Sequence, residues 1–80
     1  MDYIDITFDN GNTRRMEVVS IFNLKHYKFN YIIYCETDKS HYYLAKYLDN
    51  VSDLITDFSK DEYELCKIIF DGVLKNGIRS

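Results

Sequence analysis

From Tyr3 to Asp9 apolar and polar residues alternate, with Ile4, Ile6 and Phe8 on one side and Asp5, Thr7 and Asp9 on the other. A period of two with one wet face predicts a half-buried strand. Asn10-Gly11 follows, the strongest short hairpin signal. A second strand, over about residues 13–24, is therefore expected antiparallel to the first. Its Arg15 and Glu17 belong outside, and Met16 and Val18 inside. The alternation then fails, because Val19 and Ile21 are apolar where polar residues are due. A bulge would reset the register there; the reading adopted is that both faces are covered.

Two aromatic, β-prone runs come next, over about 27–36 and 41–48, around the turn-prone Thr37-Asp38-Lys39-Ser40. A four-residue loop makes the pairing symmetric. Tyr34 then faces Tyr43, Ile32 faces Ala45 and Asn30 faces Tyr47. The opposite face carries Phe29, Tyr31, Ile33, Cys35, Tyr42 and Leu44. Neither face is polar, so this hairpin is expected centrally in a sheet or with one face against a partner. Asn23 to His26 reads as a turn. Leu54-Ile55-Thr56 reads as a short edge strand or as a loop on the core.

The clearest helix spans about 60–75. Ser59-Lys60-Asp61-Glu62 is a capping box, and Phe58 and Tyr63 are placed as a hydrophobic staple. Asp61, Glu62 and Glu64 near the start and Lys75 near the end suit the helix dipole. Asn76-Gly77 is the expected stop, with Gly72 as an earlier one. At roughly 100° per residue, Leu65, Ile69 and Val73 centre the apolar face. Cys66, Phe70, Tyr63 and Leu74 widen it on one side and Ile68 on the other. That width suggests loops wrapped around the helix, or an interface that includes Phe70, Ile68 or Leu74.

These elements predict an α+β domain over residues 1–80: an antiparallel sheet of four strands, or five with the edge segment, over about 3–48, and one C-terminal helix on a face. The expected core is Ile4, Ile6, Phe8, Met16, Val18, Phe29, Tyr31, Ile33, Leu44, Leu65, Ile69 and Val73. Eighty residues leave no room for a second core. The 46% hydrophobic and 29% charged residues are a globular composition. A net charge of −3 argues against a nucleic-acid backbone as the main partner. No apolar run is long enough to span a bilayer, and the acidic start lacks the basic region of a signal peptide, so the expected compartment is the cytoplasm. Cys35 and Cys66 fit that compartment and do not form a disulfide framework.

The order of parts resembles a known family. A strand, an Asn-Gly turn and a strand ending in Ile21-Phe22-Asn23-Leu24 are followed by Tyr31-Ile32-Ile33-Tyr34 and Ala45-Lys46-Tyr47. This is similar to the YrzB-like family of small, acidic bacterial proteins, a domain of unknown function. The resemblance covers about residues 1–48, and the helix matches more loosely. It implies a β-rich regulatory or adaptor protein and supplies no activity, cofactor or site residue.

Chemistry is sparse. Cys35, His41, His26 and Cys66 are the only soft metal-ligand candidates, without the close spacing of a zinc site. No nucleophile has a base and an orienter beside it, and no glycine-rich phosphate loop is present. The expectation is therefore no catalysis, no cofactor and no metal. Protein binding, to a partner or a second copy, is the reading adopted, through an aromatic face of Tyr34, Tyr43 and Tyr47 with Ile32 and Phe70. One alternative is a small inhibitor of phage or mobile-element origin, of anti-CRISPR type. It would block a nucleic-acid enzyme through Asp49, Asp53, Asp57, Asp61, Glu62 and Glu64. Another is stacking of single-stranded bases on the tyrosines, with Lys28 and Lys46 nearby.

Overall fold

The alternating runs form a four-stranded antiparallel meander in the order β1-β2-β3-β4, followed by one helix. The computed structural model describes the backbone of residues 2–79 and the side chains of residues 2–75. The strands are β1 (Tyr3–Thr7), β2 (Thr13–Asn23), β3 (Asn30–Glu36) and β4 (Tyr42–Tyr47), and the helix is α1 (Lys60–Arg79). This is the expected α+β architecture. Ile55 adds a single bridge to Lys46 at the outer edge of β4, the trace of a fifth strand.

Turn chemistry sets the β1–β2 and β3–β4 connections. Gly11 holds φ at +85°, a conformation that side chains resist, and its amide donates to the Phe8 carbonyl at 2.8 Å. In the β3–β4 turn Lys39 sits at φ +61°, while the Ser40 amide donates to Asp38 Oδ1 at 2.9 Å. The register across this turn is the symmetric one: Tyr34 opposite Tyr43, Ile32 opposite Ala45 and Asn30 opposite Tyr47.

Three expectations are corrected. The lost alternation in β2 is a bulge: the pairing with β3 shifts between Val18 and Ser20, and Ile21 is 51% exposed rather than covered. One extra residue carries Phe22 to the face of Tyr31, its direct partner, where the two rings stack at 5.5 Å. The third strand starts at Asn30, not near Tyr27. The helix passes Gly72 and Asn76-Gly77 and continues to Arg79.

Both faces of the sheet carry buried residues. One contains Met16, Ile32, Tyr34 and Ala45, with Ile4, Ile6, Phe8, Val18, Tyr43 and Tyr47 packed around them. No helix covers it; Val51 and Leu54 of the segment after β4 do. Leu54 lines a small cavity together with Ile6, so this segment reaches across the face to β1. The other face carries Tyr31, Ile33 and Cys35, all buried, and α1 is joined to it through the Tyr31–Glu62 hydrogen bond. There Cys66 is fully buried, whereas Leu65 is 44% exposed and is not the centre of the apolar face. The helix is rotated because Glu62, one turn before Cys66, is drawn inward by the sheet.

Candidate protein-binding groove

Glu62 is 2% exposed, an unusual place for a carboxylate. The capping box forms: its amide donates to Ser59 Oγ at 3.3 Å and the Ser59 amide donates to Oε1 at 3.1 Å. The same carboxylate accepts from Lys46 Nζ at 2.8 and 3.0 Å and from the Tyr31 hydroxyl at 2.5 Å. Phe29 and Phe58 enclose the Lys46 ammonium, with ring centres 4.2 and 5.0 Å from Nζ. Phe58 and Tyr63 meet edge to face at 6.4 Å, as a staple should.

Burial opposes charge on Glu62, but the hydrogen bonds from Lys46, Tyr31 and the Ser59 amide outweigh it and hold the carboxyl below its ordinary range. Burial first, then the bond to Glu62, pushes the Tyr31 hydroxyl well above its usual pKa. Burial, reinforced by the Glu62 charge, raises the Cys66 thiol to about 11. Cys35 is also raised, chiefly by burial. Both thiols are therefore protonated and enclosed, the opposite of an activated nucleophile. The Lys46–Glu62–Tyr31 cluster fastens the helix to the sheet, and every polar atom in it is satisfied.

Beside this latch lies a groove of about 330 Å³ between β4 and α1, lined by Tyr42, Tyr43, Leu44, Tyr63, Lys67 and Phe70. It continues into a second concavity lined by Leu44, Tyr63 and residues 56–60. The groove runs along the outer edge of β4. The Glu36 amide donates to the His41 carbonyl at 3.1 Å, which turns the odd-numbered residues of this strand toward β3. Lys46, with amide and carbonyl bonded to Ile55 at 2.9 and 2.8 Å, faces outward. By the same alternation the amides and carbonyls of Tyr42 and Leu44 face outward. No backbone partner meets them there among the described residues.

The residues anticipated for binding are divided by the fold. Tyr34 is 6% exposed and Ile32 is fully buried, so both belong to the core and not to a contact surface. Tyr43 stacks on Tyr34 at 5.3 Å and donates to Glu36 Oε1 at 3.2 Å; Tyr47 is half-buried. Of the set, Tyr43 and Phe70 line the groove. The acidic row is divided too. Asp49 and Asp53 share one shallow depression, Asp57 lines another, Asp61 and Glu64 are exposed on the helix, and Glu62 is buried. Lys46 is inside the latch, on the opposite face from Tyr34, and cannot attract phosphates beside the tyrosines.

The sequence placed Lys46 beside the tyrosines instead of against Glu62, and gave no sign of the open β4 edge. A lysine opposite Tyr31 in the symmetric register, inside an apolar strand, was the available signal. Among the described residues no group of three His, Cys, Asp or Glu side chains is placed to hold a metal ion. No helix there is long and apolar enough to cross a membrane. The fold and groove define a small α+β domain with an open, aromatic-lined sheet edge. No protein-family model, curated protein or solved structure matches the chain.

Proposed function

We propose that the protein is a small non-catalytic binding module that takes an extended segment of a partner protein along the outer edge of β4. The observation that carries this reading is the pair of outward-facing backbone positions, Tyr42 and Leu44, beside the aromatic groove. Two residues on, Ile55 already makes the antiparallel pairing with Lys46 that an added strand would continue. Main-chain bonds would supply affinity, and alternate side chains of the segment would supply selectivity. An apolar side chain fits between Tyr63 and Phe70. A carboxylate on the segment would meet Lys67, which lines the groove between β4 and α1. The resemblance to the YrzB-like family is compatible with an adaptor and adds no chemistry.

The test is peptide-display selection on the intact chain, followed by binding of the enriched peptides to Tyr42→Pro and Phe70→Ala variants. Proline removes an amide that the sheet does not use. Retained circular dichroism with at least a tenfold loss of affinity in each variant is the expected result. The Tyr42 and Leu44 amides should exchange fast with solvent in the isolated protein and slowly with peptide bound. Selected peptides that bind both variants like the wild type would sink the reading.

A further inference from the structure

The far side of α1 carries apolar surface that the groove and the core do not use. Ile68 is 71% exposed and Leu65 is 44% exposed. Gly72, one turn beyond Ile68, weakens the helix relative to alanine, yet among the described residues a methyl group there would meet nothing within 4 Å outside its own stretch of helix. Packing within the chain therefore does not explain the glycine. Asp61 and Lys75 stand seven residues either side of Ile68, two helical turns away, and return to nearly the same azimuth.

We infer that this stripe is the seam of a homodimer in which two copies of α1 pair antiparallel about a two-fold axis at Ile68. The symmetry is decided by charge. An antiparallel pair places Asp61 of each copy opposite Lys75 of the other, giving two intermolecular ion pairs at the ends of the seam. Glu64 lies one turn from Asp61 and adds a second carboxylate near the same lysine. Asp71 falls on the rim across from Glu64, a like-charge contact open to solvent and screened there. Leu65 at the helix-axial height of the partner's Gly72 lets the backbones approach, the role that the unexplained glycine fits. A parallel pairing would set Asp61 against Asp61 and Lys75 against Lys75.

The stripe and the β4 groove lie on opposite flanks of the helix, so the dimer would leave both grooves open. Two grooves in one particle would grip a repeated or dimeric partner more tightly than either does alone. The seam itself does not depend on the proposed use of the groove.

Sedimentation equilibrium of the intact chain over a wide concentration range tests the inference. The wild type is expected to reach twice the chain mass. Ile68→Glu should raise the dimer dissociation constant at least ~30-fold, the size of an interface hot spot. Its thermal melt, measured under conditions where both proteins are monomeric, should match the wild type, because the side chain is exposed. Asp61→Lys and Lys75→Asp should each be folded and monomeric alone. Mixed in equal amounts, they should recover the dimer, because both cross-pairs are then opposite in charge. A wild type that stays monomeric throughout would overturn the inference. So would an Ile68→Glu variant that dimerises normally, or charge variants that fail to rescue each other.

Discussion

Lys46 and Glu62 form the only ion pair among the described residues that joins the sheet to the helix, with Nζ 2.8 Å from Oε1 and side-chain exposures of 8% and 3%. Two charges this buried hold their place because each is surrounded by partners: two aromatic rings on the lysine, and Tyr31 and the Ser59 amide on the glutamate. Removing either partner leaves a buried charge uncompensated, which typically costs about 3–5 kcal/mol. Lys46→Met and Glu62→Gln should each approach that loss in urea titrations. The double variant should cost clearly less than the sum of the two. Additive losses would mean that the pair does not act as a unit.

The Ser59 cap is separable from the latch. Ser59→Ala removes the oxygen that accepts from the Glu62 amide and leaves the Lys46 contact in place. The expected loss is about 1 kcal/mol, the usual value of an N-cap. A loss as large as that of Glu62→Gln would show that the cap, not the ion pair, is what the helix depends on.

Acid should loosen the domain through Glu62. Its folded pKa lies below the ordinary value of 4.5, so the ionised form is bound more tightly in the folded state. The stability it contributes is present above that ordinary value and is lost as pH falls through the folded pKa. Cys66 works in the opposite direction. Its folded pKa is raised from 9.0 to about 11, so its contribution is intact below pH 9.0 and disappears as pH rises to about 11. Denaturation midpoints measured across this range should form a plateau with both flanks falling. Glu62→Gln should flatten the acid flank, and Cys66→Ala should flatten part of the alkaline one.

Tyr34 is expected to behave as a core residue. It is buried against Met16, Ile32 and Ala45 and stacked on Tyr43. Tyr34→Ala should cost about 3 kcal/mol or more, as truncation of a buried aromatic does. A chemical-denaturation midpoint close to that of the wild type would instead return Tyr34 to the surface role that its sequence context suggests.

Lys39 carries removable strain in the β3–β4 turn. Its φ of +61° is a left-handed conformation that costs a side-chain residue about 1–2 kcal/mol. Lys39→Gly should raise the thermal midpoint, with a gain of at most about 1 kcal/mol after the added flexibility of the unfolded chain. Gly11→Ala, at φ +85°, should lower it.

Much of this fold is local and was legible. Alternation in β1, the Asn-Gly turn, the symmetric β3–β4 register and the Ser59–Glu62 capping box each depend on neighbours a few residues apart. The third and fourth strands are apolar on both faces because each face is covered, one by α1 and one by Val51 and Leu54. Which tyrosines remained outside was not legible. Tyr34 and Tyr43 both lie in aromatic, β-prone runs, and only tertiary packing separates them: Tyr34 is inside the cluster that Val51 and Leu54 cover, and Tyr43 packs at its edge.

The sequence by itself determined the elements, their order and most of their pairing, because period, turn residues and caps act over short separations. Tertiary structure alone decided the rest. A one-residue bulge turned Phe22 onto Tyr31. The sheet captured Glu62 through Lys46, which rotated the helix and brought Leu65 outward. That rotation lined the β4 groove with Tyr63, Lys67 and Phe70, and left Ile68 and Gly72 on the open flank. A buried charge must find its partner wherever the chain supplies one, and here the partner lies 16 residues away on another element.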